Sequence, residues 1–127
     1  MPFAFLPAID RMMEVVEEYG AEEIGIIYDI ANAAFIRENF RHGLERCGSR
    51  LKMIHLSDTD TDAYKHDPIG KGTIDFRAAA DDALAIGWVD RPVLEIIGVS
   101  PNPTEEIINS VKLLDAAGWD RIARNAR

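Results

Sequence analysis

The chain has 127 residues, 47% of them hydrophobic and 28% charged, with a formal net charge of −8. That composition suits a soluble globular chain with one core, and a single domain over 1–127 is expected. The acidic balance argues against a nucleic-acid partner, whose affinity would rest on Lys and Arg neutralising phosphates. The single cysteine, Cys47, excludes an internal disulfide, and no signal peptide or long apolar span is visible, so a cytoplasmic protein with no membrane partner is expected.

Residues 8–19 place Ile9, Met12, Met13, Val15, Val16 and Tyr19 at steps of three and four and stop at Gly20, which predicts an amphipathic helix with a glycine cap. The period then changes. The runs IGIIY (24–28, ending at Asp29), LKMIHLSD (51–58) and PVLEIIGV (92–99) are continuously apolar or nearly so, as buried strands are. Between them, residues 39–47 set Phe40, Leu44 and Cys47 on one helical face, and Asp75 can cap a helix that turns Phe76, Ala79, Ala80, Ala83 and Leu84 inward. Asn102, Pro103 and Glu105 start a last helix with Ile107, Ile108, Val111 and Leu114 as its stripe and Gly118 beyond it.

An order of α, β, α, β, α, β, α implies a parallel sheet built from right-handed crossovers. Three parallel strands cannot close a barrel. Either helices cover both faces of the sheet, or the chain is part of a barrel, since eight βα units take roughly 250 residues.

Alternation along the strands puts Asp29 on a face with Ile27 and Gly25, His55 with Leu51, Met53 and Ser57, and Glu95 with Val93 and Ile97. Each strand thus aims one ionisable group the same way, at or near its carboxyl end, where parallel α/β folds build their sites. An Asp, a His and a Glu buried singly would each be costly, whereas one divalent ion (Mn, Co, Zn or Mg) would satisfy all three. The ordinary readings stand beside this one: a strand-end Asp is often a cap, and a strand His is often hydrogen-bonded within a core. Glu95, between Leu94 and Ile96, is the residue that most needs a partner.

Together, YDIANA (28–33), MIHLSD (53–58), HDPIGKGTIDF (66–76) and VLEIIG (93–98) resemble the carboxyl-terminal half of the xylose isomerase-like TIM barrels. That superfamily includes sugar isomerases, ketose 3-epimerases, inosose dehydratases and endonuclease IV. The resemblance implies a partial barrel of parallel βα units, a divalent metal held by Asp29, His55 and Glu95, and a small-molecule sugar substrate. It also implies a catalytic role for Glu95 as one of two carboxylates that move a proton between adjacent sugar carbons through an enediolate. The family's first Glu ligand would lie on a strand ahead of the first helix, and no residue here matches it. In this reading 59–72 is the loop over the site, and Asn32, Asp58 and His66 are candidate substrate contacts. A histidine in the position of His66 is a metal ligand in the endonuclease branch; otherwise 59–65 would be a solvated acidic loop and His66 a surface residue. Asn32 stands where many relatives have His, which argues against the nuclease branch's multi-zinc arrangement. The uncovered sheet face would need a missing amino-terminal half-barrel or a second copy, and a non-catalytic, self-associating half-barrel is the alternative function.

Overall fold

A computed structural model of the chain describes residues 8–20 and 22–125. Three parallel strands, β1 (Ile26–Asp29), β2 (Leu51–Leu56) and β3 (Val93–Leu94), lie side by side in that order. The described helices are α1 (Ile9–Tyr19), α2 (Ile30–Phe35), α3 (Phe40–Cys47), α4 (Phe76–Ala85), α5 (Pro103–Ala117) and α6 (Trp119–Asn125).

Among the described residues, helices pack on one face of the sheet only. Ile26, Tyr28, Ile54 and Leu56 are buried beneath them with Leu44, Ala79, Ala80, Ala83, Trp88, Trp119 and Ile122. The opposite face carries Ile27, Asp29, Met53, His55, Val93, Glu95 and Ile97, and there Ile27 is 54% and Ile97 63% exposed. The sheet is therefore open, the partial barrel that parallel βα units of this number make.

Capping explains where several helices begin and end. Gly20 adopts φ 65° at the end of α1, Asn39 Oδ1 accepts from His42 N–H, and Asp75 Oδ1 accepts from Arg77 and Ala78 N–H. Tyr28 turns its hydroxyl to Glu38 (2.9 Å), whose other oxygen accepts the Ile9 N–H at the start of α1 (2.9 Å), so a buried strand residue fixes the first helix.

The structure differs from the sequence reading in four places. The register slips between Ile26 and Ile27, so Leu51 is opposite Ile26 and Met53 opposite Ile27; Leu51 is buried on the helix side and does not share the face of His55. The third strand is shorter than 92–99. Glu95 N–H still donates to Leu56 (2.9 Å), but Ile97 N–H donates to His66 (3.0 Å), so the chain leaves β2 for the β2–α4 connection. Most of the expected stripe of α5 faces outward: Ile107, Ile108 and Val111 are exposed, whereas Leu114 is buried as expected together with Ser110, whose Oγ accepts the Ile69 N–H (3.1 Å). Finally, α2 follows β1 with no loop between, and α6 extends the chain beyond Gly118.

Candidate metal centre

The connection from β2 to α4 is built around two aspartates of the DTDTD run. Asp58 is 1% exposed, and its carboxylate accepts N–H groups from Thr59 (2.9 Å), Gly70 (2.8 Å) and Ile74 (3.3 Å). Its backbone exchanges two hydrogen bonds of 2.8 Å with Asp67, which closes 59–66 into a loop. Asp60 orders the loop itself, accepting from Asp62 and Ala63 N–H and pairing with Lys65. Gly72 passes so close that a Cβ there would lie 2.3 Å from Thr59 O and 2.4 Å from Asp58 Oδ1.

This scaffold delivers His66 to the open face of the sheet. Asp29, the last residue of β1, sits opposite His55 in the register, and Glu95 follows β3 directly. Asp29 Oδ1 is engaged as the cap of α2, accepting Asn32 N–H at 2.8 Å, which leaves Oδ2 facing both histidines. His55 Nδ1 is 4.0 Å from Asp29 Oδ2 and 3.1 Å from Glu95 Oε2. His66 Nδ1 is 3.6 Å and 3.4 Å from the same two oxygens.

Ligand atoms about 2.1 Å from one ion stand roughly 3.0–3.4 Å apart at right-angled or tetrahedral spacing. Two of the four distances, 3.1 and 3.4 Å, fall in that range and two, 3.6 and 4.0 Å, exceed it. Asp29, His66 and Glu95 offer three ligand atoms within 4.8 Å of one another, room for one small divalent cation, and His55 stands beside that set against Glu95. Two carboxylates and two imidazoles suit Zn, Mn, Co or Fe better than a thiolate-preferring ion. Other atoms hold the histidines in place. Tyr64 Oη is 2.9 Å from His66 Nε2 and Met53 Sδ is 3.2 Å from His55 Nε2, on the ring nitrogens away from the carboxylates, whereas Ser57 Oγ is 2.9 Å from His66 Nδ1 itself, a hydrogen bond that a cation on that nitrogen would replace.

The two carboxyls titrate in opposite directions. Burial holds Asp29 above the usual carboxylate range, and the neighbouring Glu95 pushes the same way against the Asn32 N–H and His66. Burial also acts most strongly on Glu95, but the His55 hydrogen bond, the Asp29 carboxyl and the two histidine charges together outweigh it and hold Glu95 below that range. Glu95 is therefore the more acidic of the two carboxyls.

The candidate contacts fall in different places. His66 is 5% exposed and belongs to the cluster itself, so it is not a surface histidine. Asp58 has its carboxylate committed to backbone N–H groups and anchors the loop. Asn32 lies in the first turn of α2 beside Tyr64, to which its side chain hydrogen-bonds; its Oδ1 is buried with no partner. Tyr64, which the sequence reading passed over, is 49% exposed and stands edge-on to both Phe35 (centroids 5.7 Å) and His66 (5.2 Å). Away from the cluster, Trp88 and Trp119 are buried, and His42 is an exposed partner of Asp10.

Solved structures that share this fold include sugar epimerases. The crystal structure of 3-keto-D-glucoside 4-epimerase from E. coli superposes with a TM-score of 0.74 at 19% identity, over 89% of this chain and 41% of its own. A D-tagatose 3-epimerase-like protein gives 0.70 at 18%, over 95% and 44%, and an L-ribulose 3-epimerase 0.68 at 17%, over 97% and 46%. The chain thus spans less than half the length of each. A search among curated proteins returns no match. Residues 1–117 match the family model of the xylose isomerase-like TIM barrel, and the chain belongs to that family.

Proposed function

We propose that this chain carries the metal-binding half of a sugar isomerase or epimerase site. Asp29, His55, His66 and Glu95 hold one divalent cation, and Glu95 moves the proton. The observation that carries the reading is the convergence of Asp29 Oδ2, Glu95 Oε2 and the Nδ1 atoms of His55 and His66 at the carboxyl ends of the strands. The sugar chemistry named for the three structural neighbours supports the substrate class: a glycoside locked as a ring, or free ketoses.

A cation in this cluster would polarise a substrate carbonyl and steady the negative charge that forms on its oxygen. The chain's own part is the proton. Ionised Glu95 takes the hydrogen from the carbon next to the carbonyl, and the electron pair of that C–H bond becomes the C=C bond of an enediolate as charge passes to oxygen. Return of the proton to the former carbonyl carbon, with the neighbouring hydroxyl's proton passing to the old carbonyl oxygen, gives an isomer; return to the same carbon from the opposite face gives an epimer. One carboxylate suffices for the first outcome. The second needs an acid on the other side of the sugar, and the open sheet face leaves room for it. Asp58 and Asp60 keep the loop, and with it His66, in register with the strands.

The test is solvent exchange. With the chain supplied with Mg2+ or Zn2+ in D2O, keto-sugars should gain deuterium beside the carbonyl, and Glu95→Gln should abolish this. Equal exchange in both proteins would contradict the role given to Glu95.

A second reading, a non-catalytic module that pairs with another copy or with a separate half-barrel, is favoured by the open face. Ile27, Val93 and Ile97 supply exposed apolar area on that face.

A further inference from the structure

The aromatic pair beside the cluster has no part in the proton transfer described above. Tyr64 and Phe35 meet edge-on at 5.7 Å, and Tyr64 stands edge-on to the His66 ring at 5.2 Å with its hydroxyl 2.9 Å from His66 Nε2. The hydroxyl end of Tyr64 is thus tied into the cluster through His66, and through Asn32 on its other side, while the ring remains 49% exposed. A half-exposed tyrosine on a loop would ordinarily be free to turn. This one is held by Asp60, which pins the turn before it through the Asp62 and Ala63 N–H groups and Lys65, and by Phe35 behind it. The ring is thus held half-exposed at the edge of the cluster.

An ordered aromatic face recognises flat, C–H-bearing surfaces. A sugar closed as a six-membered ring presents several axial C–H bonds on one face and its hydroxyls round the rim. An open-chain polyol scatters hydroxyls along a flexible backbone and offers no such face. Resting on the function proposed above, we infer that Tyr64, backed by Phe35, is the specificity-determining residue of the site and selects a ring-locked sugar over an open-chain one. The phenol and the ring then have separable jobs. The hydroxyl orients His66, and the ring sorts substrates.

The experiment titrates the metal-supplied chain with methyl α-D-glucopyranoside as the ring-locked probe and D-sorbitol as the open-chain probe, by calorimetry, in wild type, Tyr64→Phe and Tyr64→Ala. The ring-locked probe should bind more tightly by roughly three- to tenfold, the worth of one aromatic face. Tyr64→Phe should keep that ratio while lowering metal affinity, because it keeps the ring and loses the hydroxyl; Tyr64→Ala should bring the ratio close to one. Equal binding of the two probes by wild type, or a ratio unchanged in Tyr64→Ala, would overturn the inference and leave the proposed proton chemistry standing. Absence of binding by both probes, alongside an absence of deuterium exchange in keto-sugars, would overturn both.

Discussion

Replacing Asp58 tests how the site is held together, because this carboxylate touches only backbone. In Asp58→Ala three N–H groups, those of Thr59, Gly70 and Ile74, lose their acceptor in an interior where Asp58 is 1% exposed. Hydrogen bonds to a charged group contribute about 1.5–3 kcal/mol each, and the 3.3 Å bond to Ile74 is the weakest of the set. Some relaxation and water entry is expected in a loop, so the loss should be about 3–5 kcal/mol rather than the full sum. Asp58→Asn keeps the shape and one acceptor oxygen but turns an NH₂ group toward N–H donors, and about 2–3 kcal/mol is expected. Urea unfolding followed by circular dichroism measures both. Because the same loop carries His66, affinity for Zn2+ should fall with stability, and limited proteolysis should cut within 59–72 before elsewhere. A change below about 1 kcal/mol in Asp58→Ala, with metal affinity intact, would refute the idea that Asp58 anchors the loop.

Three further outcomes follow from other parts of the molecule. Gly43→Ala would place a Cβ 2.1 Å from the Tyr28 hydroxyl, and displacing a buried ring that bonds Glu38 should cost about 1–3 kcal/mol in the same unfolding experiment. Stability should decline in alkali. Burial pushes the Cys47 thiol from the ordinary 9.0 up to about 12, so between those pH values the unfolded chain loses a proton that the folded chain keeps. Tyr28 is raised by burial as well and acts in the same direction. A slope of up to about 1.4 kcal/mol per pH unit is due to Cys47, and Cys47→Ala should remove that share in unfolding curves at pH 8, 9 and 10. In solution the wild-type chain should self-associate through its open face, and Ile97→Asp should shift the mass measured by light scattering toward the monomer; a wild type that is monomeric at high concentration would count against the second functional reading.

What the sequence could disclose depended on how locally each feature is determined. Strand alternation was enough to put Asp29, His55 and Glu95 on one face, because their directions follow from period two and a parallel sheet. The same rule misplaced Leu51, since the extra residue Lys52 in its own strand shifts the register between Leu51 and Met53 and leaves no mark in the sequence. His66 reaches the cluster through the pairing of Asp58 with Asp67 and its own bridge to Ile97, contacts between segments that no local pattern announces. Helix α2 was hidden because Asp29 does two things at once: one oxygen caps the helix and the other faces the histidines. The stripe of α5 was legible as a stripe, but its direction was set by Ser110, a small polar residue buried against Ile69.

The central claim is that Asp29, His55, His66 and Glu95 bind one divalent cation. The most direct measurement is metal per chain by elemental analysis, after equilibration with Zn2+, Mn2+, Co2+ or Mg2+ and gel filtration, in wild type, Glu95→Ala and His66→Ala. Close to one ion per wild-type chain is expected for at least one of these metals, with affinity reduced at least about tenfold in both variants. Wild type without bound metal, or variants that retain it undiminished, would contradict the claim.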